Sequence, residues 1–221
     1  MKKYGLNSAE YIKCLFIDFL LSKGEVQIIG NEFMYGIKRK VVDLVVLKND
    51  KIIAVEIKSD SDNLKRLEEQ ILEYKKIFDY VLIVATEKHI NKICEVTSSS
   101  IGGYVIKNNL VINKIHSPHI QRNKDKTEML YSINAKYLCK LNHYNLRKYN
   151  ADEVRNMYKK RRISNIQEIL LKYIMKKYKE RYCLFINERG AQTHIEDLCI
   201  LSSSFQNGCP GSYTLHTPES A

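Results

Sequence analysis

The sequence predicts an α/β protein: a mixed central sheet flanked by helices in the first half, followed by a basic helical segment. Three observations carry this. Short apolar runs of strand length crowd residues 25 to 58, linked by tight polar turns. Amphipathic stretches at helical spacing precede and follow them. Beyond Pro118 the strand pattern stops, and long Lys- and Tyr-rich helical stretches take over.

Element by element, Asn7 to Ser22 reads as a helix with Tyr11, Ile12, Leu15, Phe16, Phe19 and Leu20 on one face. Asn7 and Glu10 have the spacing of a capping box, and Gly24 ends the helix. Glu25 to Tyr35 is a strand, with Gly36 in the turn after it. "KVVDLVVL" and "IIAVEIK" are the next two strands, joined by a turn at Lys48-Asn49-Asp50. Leu64 to Phe78 is a helix capped by Asp62 or Asn63. "YVLIVAT" is a buried strand reached through that helix, so it pairs in parallel with an earlier one. A short helix runs from Glu87 to about Val96, and a last hairpin turns at Asn108-Asn109. The order is αβββαβαββ. It divides the chain into an α/β core over residues 1–118, a basic helical appendage over 119–187, and a tail over 188–221, mostly small and polar from Leu201 on, expected to lack structure.

The chain has 221 residues and a formal net charge of +11. Gln121 to Tyr182 holds 17 basic and 6 acidic residues, so all of the excess sits there, and the remainder has 19 of each. A localised basic segment suits an anionic partner, most often nucleic acid; a solvated helical face is the plainer reading. No apolar run reaches the roughly 18 residues of a membrane span, and acidic Glu10 and Asp18 interrupt the N-terminal apolar stretch where an export signal would be unbroken. The six cysteines form no CxxC pair. Together these features place the protein in a reducing cytoplasm, with no membrane partner.

Charged residues inside the strands are the informative exception. Alternation puts Ala54, Glu56 and Lys58 on one face, with Glu56 and Lys58 about 7 Å apart. A turn near Lys48 to Asp50 brings Asp43 almost opposite Glu56. Two apposed carboxylates repel, and a divalent cation between them removes the penalty. Mg²⁺ or Mn²⁺ held by Asp43, Glu56 and the Ile57 carbonyl would polarise a phosphodiester, and Lys58 would orient water or stabilise developing charge. The bland alternative is a structural cross-strand charge cluster.

Asp43 followed after twelve residues by Glu56-Ile57-Lys58 resembles the D…(D/E)-x-K core of the PD-(D/E)XK nuclease superfamily, as does the αβββαβ order. Gln70 and Tyr74 resemble the Q-x-x-x-Y motif of its RecB-like branch, and "EIKSDSDNLKRLEEQ" is similar to a small bacterial and phage-borne family within it. The likeness covers roughly residues 8 to 90; Val42 stands where the superfamily's name implies Pro. It implies a restriction-endonuclease-like core, a metal-dependent nuclease acting on DNA, and roles for Gln70 and Tyr74 in positioning the site and contacting DNA. It also allows Glu10 as a further metal ligand. Glu32 has a similar double reading, joining the acidic site or facing solvent, while Glu10 is otherwise a helix cap. Gln70 and Tyr74 are otherwise a polar-aromatic pair at a helix boundary. Arg66 and the run Lys159, Lys160, Arg161 and Arg162 are the candidate phosphate contacts, salt-sensitive and blind to sequence. A homodimer is compatible with cutting two strands. The competing function is a non-catalytic nucleic-acid-binding or protein-interaction module on the same fold.

Overall fold

A computed structural model describes residues 5–96, 100–142 and 148–202. Its centre is a six-stranded mixed sheet in sequential order, β1 (Ile28–Tyr35), β2 (Lys40–Lys48), β3 (Lys51–Lys58), β4 (Tyr80–Thr86), β5 (Gly102–Ile106) and β6 (Ile112–His116). β1, β2 and β3 form an antiparallel meander; β3, β4 and β5 run parallel; β6 returns antiparallel as a hairpin. Helix α1 (Ala9–Ser22) precedes the sheet, while α2 (Leu67–Lys75) and α3 (Ile90–Val96) are its crossovers. Then come α4 (Lys126–Tyr131), α5 (Ala135–Leu141), α6 (Ala151–Lys159), the 26-residue α7 (Ile163–Glu188) and short α8 (Leu198–Leu201). The α/β class and the αβββαβαββ order are as the sequence predicts.

Local chemistry explains the boundaries. The first cap lies one residue later than expected: Ser8 is the N-cap, and its Oγ accepts from the Tyr11 amide. Gly24 follows the helix at φ +72°, where a side chain would be strained. Asn49 and Asp50 both take positive φ, 49° and 55°, the geometry of a two-residue type I′ hairpin turn between paired Lys48 and Lys51. β1 begins at Ile28 rather than Glu25. The helix expected from Leu64 opens with a 3₁₀ turn, Leu64–Arg66, capped by Asn63 through a 2.8 Å bond to the Lys65 amide.

Two buried clusters line the two faces of the sheet. On one, Ile12, Phe16 and Ile17 of α1 meet Leu44, Val46, Val55 and Val84. On the other, Val45, Ala54, Val81 and Ile83 meet α2 and also Met129, Leu138, Tyr158, Leu170, Ile174 and Tyr178 from α4 to α7. The helices that the sequence sets apart as an appendage therefore share a core with the sheet. Asp79 ties them to it. Its carboxylate accepts from the Ile52 amide at 2.9 Å and lies 3.4 Å from the buried Lys124 ammonium, while its carbonyl accepts from the Gln121 amide at 2.8 Å.

Residues 189–202, expected within the structureless tail, are ordered. Leu198 and Leu201 are buried against the α1 face, and Asp18 accepts from Arg189 (2.5 Å) and from both the amide and the hydroxyl of Thr193. Two apolar anchors and one charged clasp hold this segment. The rest of that tail, 203–221, lies outside the described residues. No described helix is long and apolar enough to cross a membrane.

Burial pushes the Lys124 ammonium down to about 8, against the pull of Asp79. Between that value and the ordinary lysine range near 10.4, the unfolded chain holds a proton that the folded chain has released, so this group's contribution to stability rises with pH. Buried Cys14, pushed up to about 12, works in the opposite direction from about pH 9. The expected result is comparative: in denaturant titrations between pH 8 and 10, the stability of the parent relative to Lys124→Met increases with pH. A flat difference would mean that Lys124 is not buried.

Candidate active site

The meander brings the charged strand residues side by side across three strands. Pairing of Leu44 with Val55 sets Asp43 across from Glu56, and pairing of Asn31 with Leu44 and Phe33 with Val42 sets Glu32 across from Asp43. One carboxylate on each of three neighbouring strands thus lies in a row. The row is broken by Glu32, which takes φ 57° in the middle of β1 and is exposed. A non-glycine residue in that conformation kinks the strand and turns the side chain out of the alternation.

Glu56 is the buried centre, 4% exposed. Alternation points it at α2, where Gln70 and Tyr74 lie one turn apart. Gln70 Nε2 donates to Glu56 Oε1 at 2.6 Å, the Tyr74 hydroxyl donates to Oε2, and Lys58 Nζ donates to Oε1 at 2.8 Å and to Gln70 Oε1 at 3.2 Å. Burial, then the charge of Asp43, raises the Glu56 carboxyl above its ordinary value, against Lys58 and Tyr74. Burial and the Glu56 charge likewise raise the Tyr74 phenol, so it stays a donor at neutral pH.

Asp43 is partly exposed. Its Oδ2 accepts from the Ile57 amide at 2.8 Å, and Oδ1 lies 3.4 Å from Lys13 Nζ. Because a strand residue's amide and carbonyl point to the same side, the Ile57 carbonyl also faces β2. Asp43, Glu56, Ile57, Lys58, Gln70 and Tyr74 are therefore gathered in one place.

Other candidates are placed elsewhere. Glu10 accepts from the Ser8 hydroxyl at 2.9 Å in the first turn of α1; its own backbone amide, then that hydroxyl, hold its carboxyl below the ordinary value. This is the environment of a cap. Among the described residues no three or more His, Cys, Asp or Glu side chains stand close enough to hold a metal together, so neither Glu10 nor Glu32 completes a side-chain triad with Asp43 and Glu56. Arg66 is exposed one turn before Gln70. The basic run belongs to the α6–α7 turn. Lys160 and Arg162 are exposed there, Lys159 is half-buried, and Arg161 stacks 4.6 Å from the Tyr158 ring and donates to Asn142 Oδ1 at 3.1 Å.

Lys13 and Asn31 escape the sequence reading. Lys13 Nζ, on α1, donates to Asn31 Oδ1 at 3.2 Å and reaches Glu32 Oε1 at 3.8 Å as well as Asp43. A signal existed: Lys13 lies three and four residues before Phe16 and Ile17, so a cation sits within a buried arc of the helix.

Oxygen donors from two carboxylates and one backbone carbonyl suit a hard divalent cation that keeps waters or takes substrate phosphate oxygens as its remaining ligands. The donor set therefore fits Mg²⁺ or Mn²⁺.

Comparison with known proteins finds similarity to a phage protein and to a solved structure. Protein cII of Enterobacteria phage P4 is 26% identical over 210 residues, covering 87% of this chain and 77% of that protein. A solved structure of a protein of unknown function from Silicibacter pomeroyi covers 71% of this chain and 97% of its own at 11% identity, with a TM-score of 0.41. The family model described as Bacteriophage P4 protein cII matches residues 3–202, a span that includes all of the described residues, and the protein belongs to that family.

Proposed function

We propose that the protein is a metal-dependent nuclease that hydrolyses phosphodiester bonds, with DNA as the substrate. The observation that carries this reading is the convergence of Asp43 and the Glu56-Ile57-Lys58 strand with Gln70 and Tyr74 around one buried carboxylate. A bound divalent cation would supply Lewis-acid polarisation of the phosphate and a water of lowered pKa. Asp43, Glu56 and the Ile57 carbonyl would hold it. Tyr74 and Gln70 fix the Glu56 carboxylate in one orientation, and Lys58 places an ammonium beside it to orient water and meet developing negative charge. The exposed Arg66, Lys160 and Arg162 offer sequence-blind phosphate contacts.

One observation favours a second reading. Both Glu56 oxygens and both Asp43 oxygens already have partners within the protein, as in a closed structural network. A nucleic-acid-binding module with a silent site would look the same. Cleavage of labelled single- and double-stranded DNA with Mg²⁺, Mn²⁺ or EDTA separates the two. The nuclease reading expects metal-dependent cleavage that Lys58→Met lowers by about a hundredfold or more with the fold retained by circular dichroism. Binding without cleavage in every metal would support the module.

A further inference from the structure

Lys13 is 5% exposed, and its ammonium is surrounded by oxygens: Asn31 Oδ1 at 3.2 Å, Asp43 Oδ1 at 3.4 Å and Glu32 Oε1 at 3.8 Å. Burying an ammonium is costly unless it is paired, so these three acceptors are what keep it inside. Their chemistry, two carboxylates and an amide carbonyl, is also that of a hard divalent-cation site. Asn31 is held in place from behind: its Nδ2 donates to Ser202 Oγ at 2.8 Å and to the Leu198 carbonyl at 3.4 Å. The amide oxygen is thereby aimed at Lys13 by the ordered segment that ends the described chain.

The carboxylate contacts are loose. A charge-assisted N–H···O bond is typically about 2.7–2.9 Å long, and neither Asp43 nor Glu32 comes that close. Asp43 is more firmly committed on its other oxygen, to the Ile57 amide at 2.8 Å. The Oδ1 that faces Lys13 is the oxygen more easily given up, and a lysine stem has the rotatable bonds to leave it.

We propose that Lys13 is a tethered counter-cation of this site: its ammonium neutralises Asp43 when no metal is bound and competes with a divalent cation for Asp43 Oδ1. This rests on the metal-site reading given above. It makes metal entry a displacement, in which Lys13 gives up Asp43 as the ion arrives. How tightly the parent holds the ion is then set by α1 as well as by the strand carboxylates.

The test is Mn²⁺ binding, read by the electron paramagnetic resonance signal of the free ion, for the parent, Lys13→Met and Asp43→Asn. The expected result is that Lys13→Met binds Mn²⁺ about tenfold or more tightly than the parent, and that Asp43→Asn loses this ion. A variant that gains affinity when the parent binds nothing measurable supports the proposal too. Parent binding with an unchanged or weaker Lys13→Met overturns it and leaves the metal site standing. No binding by either protein overturns both. Should Lys13→Met fail to fold, reductive methylation of the parent decides, with lysines quantified by peptide mass spectrometry. Lys13 is expected to be protected without metal and to react at least several-fold faster with saturating Mn²⁺. Equal protection in the presence of bound Mn²⁺ overturns the proposal.

Discussion

Replacing Glu56 with Gln is expected to lower DNA cleavage by about a thousandfold or more while leaving the fold as stable as the parent or slightly more so. The first half follows from removing one of two metal-holding carboxylates: Lewis-acid stabilisation is worth several kcal/mol, and each 1.36 kcal/mol is a factor of ten. The second follows from the carboxyl itself. Burial and Asp43 raise its proton affinity in spite of Lys58 and Tyr74, so the folded state disfavours the charge. A group whose folded pKa is raised stabilises the fold below its unfolded pKa and loses that contribution as pH rises through the folded one. The parent should therefore lose stability above the ordinary glutamate range near 4.5, and Glu56→Gln should lack that component. Glutamine keeps a carbonyl for the donors around it, and Lys58 retains Gln70 Oε1.

That pairing of outcomes distinguishes a site from a scaffold. A residue kept for packing should lose stability when changed and leave chemistry intact. One kept for chemistry at the expense of stability should do the reverse. Parallel measurement of cleavage rate and urea midpoint decides between them. A stability loss above about 2 kcal/mol, the scale of breaking hydrogen bonds to a buried charge, with metal-dependent cleavage unchanged would assign the cluster to structure.

Why the strand half of this cluster is legible in the sequence is a matter of period. Alternation fixes which residues share a face, and the two-residue turn at Asn49-Asp50 fixes the register, so Asp43 and Glu56 fall opposite each other with no tertiary information. Gln70 and Tyr74 follow because helical spacing aligns residues four apart. Lys13 and Asn31 depend instead on how α1 and α8 lie on β1, and neither spacing nor composition encodes a docking angle. Glu32 stays open between its two readings for a related reason. Its positive φ breaks the alternation on which any facing argument rests. The helices after Pro118 were legible as helices, but their shared core with the sheet was not. Their apolar stripes join the buried cluster on one face of β1 to β4 through contacts between residues far apart in sequence, and net charge, which made them look like an appendage, reports only the outer face.

The packing of α7 on β1 leads to the largest expected change in stability, at Gly30. This glycine has an ordinary strand backbone, so conformational freedom does not explain it; space does. A Cβ at Gly30 would stand 2.7 to 2.8 Å from three carbons of the Tyr178 ring. That ring is fully buried, meets Phe33 edge-on at 6.4 Å, and is flanked by Lys177 at 5.3 Å. It has little room to yield, and Gly30→Val should cost about 3 kcal/mol, the upper part of the usual overpacking range. For a chain of this size that is a fall in Tm of roughly 6–12 °C. Gly30→Ala should show the same effect in smaller form. Its cost should shrink when combined with Tyr178→Leu, with a coupling of about 1 kcal/mol or more in the double-mutant cycle. Additive costs would mean that α7 does not lie across β1 at this point. The consequence reaches the site, since Asn31 and Glu32 follow directly in the strand. A β1 pushed away from α7 displaces two of the three acceptors around the Lys13 ammonium, so Gly30→Val should also expose Lys13 to methylation in the absence of metal.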